Sequence, residues 1–253
     1  MSAAAESSAS AEAFRLATID LDDTVWPCAP VIHAAEGALY AWLSEQTPRL
    51  ARAHDPASLR EHRRLLMQAR PDIAHDVTEL RRAALSSLMA DYGYPPTLAD
   101  TAMEVFRRAR NQVEPYGDVV PALTSLRRRM RIVAVTNGNA EVEQTPLRDA
   151  FDLVLTAADA GAMRPDPALF RMAMDWAGAA PRETLHVGDD PLRDVDAARR
   201  AGLTAVWINR GGLDWPRDLP PPAHEAHDLS DLLRWLDDVQ AGPATGAGGA
   251  DAL

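Results

Sequence analysis

Five short apolar runs constrain the fold of this chain more than any other sequence feature. Polar or turn-forming residues bound each run, as expected for buried strands. The last four runs alternate with helical patterns such as Pro165–Ala177 and Leu192–Ala201, the latter ending at the helix-stop residue Gly202. Such strand–helix units predict an α/β fold with a Rossmann-like parallel sheet covered on both faces. The predicted strands are Leu16–Ile19, Ile132–Val135, Leu153–Leu155, Thr184–Val187 and Ala205–Ile208.

More than a hundred residues separate the first predicted strand from the second. This stretch has helical periodicity throughout and is broken by prolines, which predicts an all-helical insertion over the ligand-binding edge of the sheet. The predicted helices are Val31–Ser44, Ser58–Ala69, Val77–Tyr92 and Leu98–Arg110. The expected layout is a sheet unit of residues 14–26 and 115–240, a helical unit of residues 27–114, and disordered tails at 1–13 and 241–253.

Composition excludes several classes of protein. A net charge of −11 and a pI near 5.0 argue against a general nucleic-acid binder, which needs a basic surface. The single cysteine, Cys28, excludes an internal disulfide framework and fits a reducing compartment. No apolar run approaches the roughly 18 residues of a membrane span, and the first dozen residues do not resemble a secretory signal. We therefore expect a cytoplasmic protein without nucleic-acid or membrane partners; the sequence leaves its oligomeric state open.

Two carboxylates follow the first strand at alternate positions. Asp20 and Asp22 lie in the run Asp20-Leu21-Asp22-Asp23-Thr24, and side chains two residues apart in an extended segment share a face. Carboxylates held this close repel each other unless a cation lies between them. The pair therefore suits a divalent metal, or a division of labour between a nucleophile and an acid/base.

Other polar residues follow the remaining strands, and in open parallel sheets ligands bind at the carboxyl ends of the strands. Carboxylates, a hydroxyl with adjacent N–H donors and one arginine together predict a site for Mg²⁺ and a phosphate group. The residues expected there, beside Asp20 and Asp22, are Thr136, Asn137, Arg164, Asp189 and Asp194.

Each of these residue types suggests a chemical role. Asp20 can attack phosphorus once the metal and Arg164 neutralise charge, and Asp22 can protonate the departing alkoxide and then activate water. Thr136, with the N–H groups that follow it, can hold the transferring oxygens. Asp20, Asp189 and Asp22, the last through a nearby backbone carbonyl, are the expected metal ligands.

Four segments, DLDDT, VTNGN, MRPDP and GDDPLRD, resemble in order and spacing the motifs of the haloacid dehalogenase-like hydrolase superfamily. The helical insertion is similar to the helical (type C1) cap of that superfamily. The resemblance implies that Asp20 is the nucleophile, Asp22 the acid/base, Thr136 the phosphate-binding hydroxyl and Asp189 the acidic metal ligand. It further implies that Asp194 orients the site rather than binding metal directly.

A narrower resemblance concerns the substrate. The segments PDIAHDVTELRR, VTNGNA and LHVGDDPLRDV are similar to a bacterial flavin-pathway branch of the superfamily. Members of that branch dephosphorylate 5-amino-6-(5-phospho-D-ribitylamino)uracil, a riboflavin precursor, and can act on FMN. The resemblance implies an Mg²⁺-dependent phosphatase for a small phosphorylated metabolite of this kind. A sugar phosphate, phosphoglycolate or nucleotide is the alternative substrate.

Arg164 stands where the superfamily has lysine. A planar guanidinium differs from a compact ammonium in shape and could weaken catalysis or re-aim the phosphate. However, the chain contains no lysine at all, and its 26 cationic residues are all arginine. A bias across the whole sequence therefore explains Arg164, and we expect activity.

Several polar residues near the motifs have a structural alternative. Asp23, Asp166 and Asp190 are interpreted as turn or capping residues. Trp26 could line the substrate pocket or pack at the hinge of the insertion. His75 and Asp76 could contact substrate or could only begin a helix.

Two competing functions differ from the leading one. Haloacid dehalogenation uses the same nucleophile but needs no leaving-group proton, so Asp22 counts against it. A receiver-like regulator that binds phosphate without turnover also gathers acidic residues, threonine and a cation, but it lacks the Asp-x-Asp spacing and the helical insertion.

Overall fold

The computed structural model describes residues 13–241 and shows a six-stranded, wholly parallel sheet in the order β3-β2-β1-β4-β5-β6. The predicted α/β class is confirmed. The strands are β1 Leu16–Ile19, β2 Arg131–Thr136, β3 Leu153–Thr156, β4 Thr184–Gly188, β5 Thr204–Ile208 and β6 His224–Ala226. The longer helices are α1 Cys28–Gln46, α2 Pro48–Ala53, α3 Pro56–Ala69, α4 Val77–Asp91, α5 Leu98–Arg110, α6 Val119–Leu126, α8 Ala168–Ala177 and α10 Leu229–Ala241. The tails predicted at 1–13 and 241–253 lie outside the described residues, apart from residues 13 and 241.

The central strand β1 determines where a ligand can bind. It pairs with β2 on one side and with β4 on the other, so Ile19 lies level with both Ala134 and Val187. The chain builds β2 and β3 on one flank and β4 to β6 on the other, which makes β1 the point where the strand order reverses. Crevices at such switch points are the usual ligand sites of open α/β sheets. Asp20 and Asp22, which follow β1, therefore lie at this crevice.

Alternation along the strands divides the sheet core into two apolar layers. Ala17 and Ile19 of β1 pack into one layer with helices α6 and α10, whereas Leu16 packs into the other with α8. All four residues of β1 are buried, as expected for a strand covered on both faces.

Helices α1 to α5 have an apolar core of their own. Residues from α1, α2, α4 and α5 meet there, and the fully buried members include Leu43, Leu50, Met89 and Phe106. The predicted helices in this stretch are all present, but Pro48 opens the short helix α2 instead of simply breaking the pattern. Proline at the first helical position lacks only an N–H that would be unpaired there anyway.

The structure differs from the sequence-based elements at further places, and helices α6 and α10 were not predicted. Strand β6 was not predicted, because its three residues carry no apolar run. Helix α8 begins at Ala168 rather than at Pro165, since Asp166 accepts a hydrogen bond from the Ala168 N–H. The helix predicted over Leu192–Ala201 is divided into a π-helix, Pro191–Asp196, and α9, Ala197–Arg200. Short helix α7, Ala157–Ala160, lies between β3 and α8.

Within residues 13–241, no helix has the length and apolar character needed to cross a membrane.

The core of the helical insertion makes a testable contribution to stability. Leu43 is fully buried, so Leu43→Ala should lower the free energy of unfolding by about 2–5 kcal/mol through lost burial and a cavity. Leu65, on α3, is 50% exposed, and Leu65→Ala should change it by less than about 0.5 kcal/mol. Urea denaturation of the two variants measures both values. Equal losses would show that the insertion is not packed as described.

Candidate active site

Asp20 occupies the floor of the crevice. Its backbone N–H donates to the carbonyl of Val187 at 2.9 Å, which continues the β1–β4 pairing one residue beyond the strand. The side chain is 5% exposed, and its Oδ1 accepts from Nη2 of Arg164. The carboxylate is therefore fixed on the sheet and faces a buried cation.

Asp22 is held by Trp26 and by Arg110, a residue that the sequence analysis does not single out. Both of its carboxylate oxygens accept from Nη2 of Arg110 at 2.7 Å, and Oδ1 also accepts from Nε1 of Trp26 at 2.8 Å. Arg110 is the last residue of α5 and its side chain is only 1% exposed. A residue of the helical insertion thus contacts the second carboxylate of the first motif.

Asp23 makes the turn that connects the site to α1. It has a φ of 60°, a conformation that Asp tolerates better than most residues. Its N–H donates to the carbonyl of Trp26 at 2.7 Å, and its Oδ1 accepts from the N–H of Cys28 at 2.8 Å. The structure places Asp23 in the predicted turn position.

The loop after β2 provides a hydroxyl and a rigid connection. Thr136 is 2% exposed, and its Oγ1 accepts from the N–H of Gly138 at 2.9 Å. The side chain of Asn137 pairs with the backbone of Arg164: Oδ1 accepts from the Arg164 N–H at 2.8 Å, and Nδ2 donates to the Arg164 carbonyl at 3.1 Å. The Asn137 amide thus holds the backbone of Arg164. Its predicted role in binding phosphate stays a prediction.

Arg164 connects two acidic residues in the centre of the site. Its Nη2 donates to Asp20 and its Nη1 donates to Asp194, and all three side chains are buried. Although burial lowers it, the pKa of Arg164 is raised overall because Asp194 and Asp20 stabilise the charged form. The guanidinium contacts the two carboxylates through two different nitrogens, whereas a lysine has a single side-chain nitrogen.

Asp194 accepts hydrogen bonds from several donors. Its Oδ2 accepts from the N–H of Asp190 at 2.9 Å, and its Oδ1 lies 3.3 Å from Nε2 of His186. Burial alone would raise the pKa of Asp194, but Arg164 and His186 hold it below its usual range. The π-helical turn holds Asp194 close to Asp190, because the N–H groups of Asp194 and Val195 both donate to the Asp190 carbonyl.

His186 is a buried residue beneath Asp194 that the sequence analysis missed. Its Nδ1 lies 2.9 Å from Oγ1 of Thr18, and its ring packs edge-on against Phe170 with centroids 4.7 Å apart. Burial lowers the pKa of His186, so its neutral form is favoured.

Three carboxylates converge where a metal ion could bind. Oxygen atoms of Asp20, Asp189 and Asp194 lie within 4.8 Å of one another. Burial, Asp194 and Asp23 raise the pKa of Asp189 to about 7, and burial together with Asp194 and Asp189 raises that of Asp20. A bound cation would favour the charged forms of these carboxyl groups, whose pKa values are raised without one. Their oxygens are hard ligands of the kind that Mg²⁺ prefers.

This trio differs in one member from the predicted metal ligands. The side chain of Asp22 is turned toward Arg110 and Trp26 and is not one of the three converging carboxylates. A backbone group near Asp22, as predicted, stays the candidate ligand from that residue. Asp194, expected to support the site, lies within the acidic trio.

The predicted residues of the four motifs line one cavity of about 360 Å³. Its walls contain Asp20, Asp22, Thr136, Asn137, Arg164, Asp189 and Asp194, together with Cys28, Met163 and Arg193. A second cavity, of about 180 Å³, shares Gly138 with the first and lies between the helical insertion and the loop after β2. His75, Asp76 and Arg107 line this second cavity.

The three residues proposed for substrate selection fall in different surroundings. Trp26 is fully buried, and its Nε1 donates to Asp22. Of the two alternatives for Trp26, the structure favours packing at the hinge over lining the substrate pocket. Asp76 accepts from the N–H groups of Thr78 and Glu79 at 3.0 and 2.9 Å, so its carboxylate caps α4. His75 lines the second cavity and stays a candidate for substrate contact. Asp190 caps the π-helix through Leu192 and Arg193, as interpreted from the sequence.

Comparisons with known proteins agree with this geometry. Residues 14–202 match the family described as haloacid dehalogenase-like hydrolase. The chain is 33% identical over 195 residues to the 5-amino-6-(5-phospho-D-ribitylamino)uracil phosphatase YigB of Escherichia coli, covering 76% of this chain and 82% of that protein. It is 36% identical over 137 residues to the phosphoserine phosphatase of Thermus thermophilus, covering 52% of this chain and 55% of that protein.

The solved structures that are similar to this chain include a dehalogenase and a phosphatase. A 2-haloacid dehalogenase from Pseudomonas syringae pv. tomato has a TM-score of 0.83 and 39% identity, covering 88% of this chain and 98% of that one. A HAD phosphatase from Thermococcus onnurineus has a TM-score of 0.63 and 26% identity, with the same coverage of the two chains.

A divalent cation should stabilise the folded protein through the acidic trio. At a Mg²⁺ concentration 100 times its Kd, binding adds about 2.7 kcal/mol, equivalent to a rise in Tm of roughly 5–10 °C for a chain of this size. Asp189→Asn should remove most of this rise, because it deletes a carboxylate of the trio. Differential scanning calorimetry with and without Mg²⁺ measures the effect.

Asp175→Asn is the matched control, because Asp175 is an exposed residue of α8 and should leave the rise in Tm unchanged. A full Mg²⁺-dependent rise in the Asp189 variant would contradict the assignment.

Proposed function

The chain belongs to the haloacid dehalogenase-like hydrolase family and is a phosphoric monoester hydrolase, and from this premise we propose how it acts and on what. The proposal is hydrolysis of a small phosphomonoester through an aspartyl-phosphate on Asp20. The observation that carries it is the single cavity in which Asp20, Asp22, Thr136, Arg164 and Asp189 meet.

The two aspartates of the first motif divide the chemistry. A carboxylate oxygen of Asp20 attacks phosphorus, and the bond to the ester oxygen breaks. Asp22 gives its proton to that departing oxygen; it then removes a proton from the water that attacks the aspartyl-phosphate and releases phosphate. In this structure the Asp22 carboxylate accepts hydrogen bonds from Arg110 and Trp26.

The remaining residues of the cavity bind the phosphoryl group. The Thr136 hydroxyl and the N–H groups of the following loop can donate to phosphoryl oxygens, and Arg164 offers positive charge beside the nucleophile. Asp20, Asp189 and Asp194 are the groups that would hold Mg²⁺. When bound, the ion would supply positive charge against the phosphoryl oxygens and the attacking carboxylate.

The resemblance to a 39% identical dehalogenase structure raises the alternative of carbon–halogen cleavage. A halide leaves as an anion and needs no proton, so carbon–halogen cleavage does not require a general acid at the position of Asp22. In this chain an aspartate is present at this position, and it pairs with the buried Arg110. That arrangement favours phosphate ester hydrolysis.

For the substrate, we propose 5-amino-6-(5-phospho-D-ribitylamino)uracil, with FMN as a second substrate. The match to YigB covers 76% of this chain, which is more than all the residues outside 27–114 could supply. The similarity therefore extends into the helical insertion, where we expect substrate selection. The match to phosphoserine phosphatase covers 52%, about the size of the sheet unit alone, and so says less about the substrate.

A panel assay tests both parts of the proposal. Phosphate release should be measured with the ribitylaminouracil phosphate, FMN, phosphoserine, sugar phosphates and nucleotides, with Mg²⁺ and with EDTA. We expect the flavin-pathway compounds to have the highest kcat/KM, and EDTA to abolish turnover. Asp20→Asn should lower kcat below detection because it removes the nucleophile, while Asp175→Asn should not change it.

The outcomes separate the claims. Turnover led by another compound would remove the substrate assignment and leave the mechanism standing. Release of chloride from 2-chloropropionate faster than phosphate from every ester would instead support the dehalogenase alternative.

A further inference from the structure

Arg110 is a buried cation whose presence the four motifs do not explain. Its side chain is 1% exposed, and its Nη2 makes both of its contacts with the carboxylate of Asp22. Among residues 13–241, its Nε and Nη1 have no hydrogen-bond partner. The guanidinium of Arg110 is therefore buried in the helical insertion, and its hydrogen bonds go to one residue of the sheet unit, Asp22.

Stability gives no reason for this burial. Unsatisfied guanidinium nitrogens carry a desolvation cost, and replacing buried ion pairs with apolar side chains often leaves stability unchanged or improved. Asp22 is 22% exposed, so truncating Arg110 would leave its carboxylate partly solvated and not stranded in the core. The placement of Arg110 therefore points to function.

The Asp22 carboxylate is confined from three directions. Arg110 and Trp26 donate to it, and the backbone of Gly138 closes the third side. A Cβ at Gly138 would lie 2.8 Å from Asp22 Oδ2 and 3.4 Å from Arg110 Nη2. The loop after β2, Asp22 and the end of α5 are thus in mutual contact.

The end of α5 is itself attached to the loop after β2. Nη1 of Arg107 donates to Glu141 at 3.1 Å, and Nδ2 of Asn111 donates to Glu141 Oε2 at 2.9 Å. The Glu141 N–H donates in return to Asn111 Oδ1 at 2.9 Å. These contacts hold the end of α5, and with it the backbone of Arg110, against the loop after β2.

We propose that Arg110 is a positioning residue for the phosphatase reaction: it orients the Asp22 carboxylate for proton transfer from within the helical insertion. This inference rests on the proposed acid/base role of Asp22. It means that the insertion completes the catalytic site in addition to selecting the substrate. A phosphoester bound in the cavity would meet a correctly oriented Asp22 only while the end of α5 is in the place described.

A double-mutant cycle tests this inference. Arg110→Met, Asp22→Asn and the double variant are compared, using the best alkyl phosphomonoester of the panel. We expect Arg110→Met to lower kcat by roughly 10–100-fold with KM within about threefold, a part of the 10²–10⁴-fold typical of general acid–base catalysis. In the Asp22→Asn background, the same change should lower kcat by less than about threefold, because its target is already absent.

Leaving-group dependence provides a readout that a purely structural role would not change. p-Nitrophenolate departs without a proton, so the first turnover of p-nitrophenyl phosphate should slow by less than about threefold in Arg110→Met. Arg110→Lys should recover part of the loss with alkyl esters, since one nitrogen makes both contacts with Asp22.

Arg108→Met is the matched control, because Arg108 is an exposed arginine on the same helix and should keep full activity. Losses that multiply in the double variant, or equal slowing of alkyl and aryl esters, would overturn the role of Arg110. Full activity of Asp22→Asn would instead overturn the proposed function of Asp22 itself. A fall in Tm of Arg110→Met below that of Arg108→Met would assign Arg110 to the fold.

Discussion

The ion-pair cluster of Arg164 with Asp20 and Asp194 is the interaction on which the rest of the site depends. Each of these groups is buried, and a carboxylate buried without a partner would lose its charge or destabilise the fold. One guanidinium lies between both carboxylates and allows two acidic motifs, 174 residues apart in the chain, to share the crevice beside β1. Within residues 13–241, Asp189 forms no such ion pair, and its carboxylate accepts only a 3.4 Å hydrogen bond from the Thr24 hydroxyl. Its raised pKa indicates where a further positive charge is needed.

Much of this arrangement could be predicted from the sequence, because its causes are local. Buried strands are apolar runs, and all five predicted strands are present within a residue or two of their expected ends. Parallel strands bring their carboxyl ends to one edge, so the residues that follow them are expected to lie close together, and in the structure they line one cavity. The helices of the insertion were recognisable from the spacing of their apolar residues.

The parts that could not be predicted depend on contacts between distant segments. Arg110 reads as one more polar residue in an arginine-rich helix, and only the packing of α5 turns it toward Asp22. His186 lies between the apolar residues Leu185 and Val187 of β4, a pattern that is typical of a core histidine and does not indicate a contact with Asp194. Trp26, Asn137 and Asp76 were recognised as important positions, but the direction of a side chain depends on tertiary neighbours. Strand β6 is too short and too polar to be recognised without the sheet that it extends.

The pair of hydrogen bonds between Asn137 and the backbone of Arg164 has a consequence for how the site is ordered. A side-chain amide here pairs with a main-chain amide as a neighbouring strand would, and so it joins two loops that belong to different strand–helix units. The conformational entropy of both loops is lost when the protein folds, not when a ligand arrives. The hydroxyl of Thr136 and the cation of Arg164 are therefore in place before any ligand binds. In the proposed reaction, the binding energy of a phosphoryl group would then remain available for the transition state.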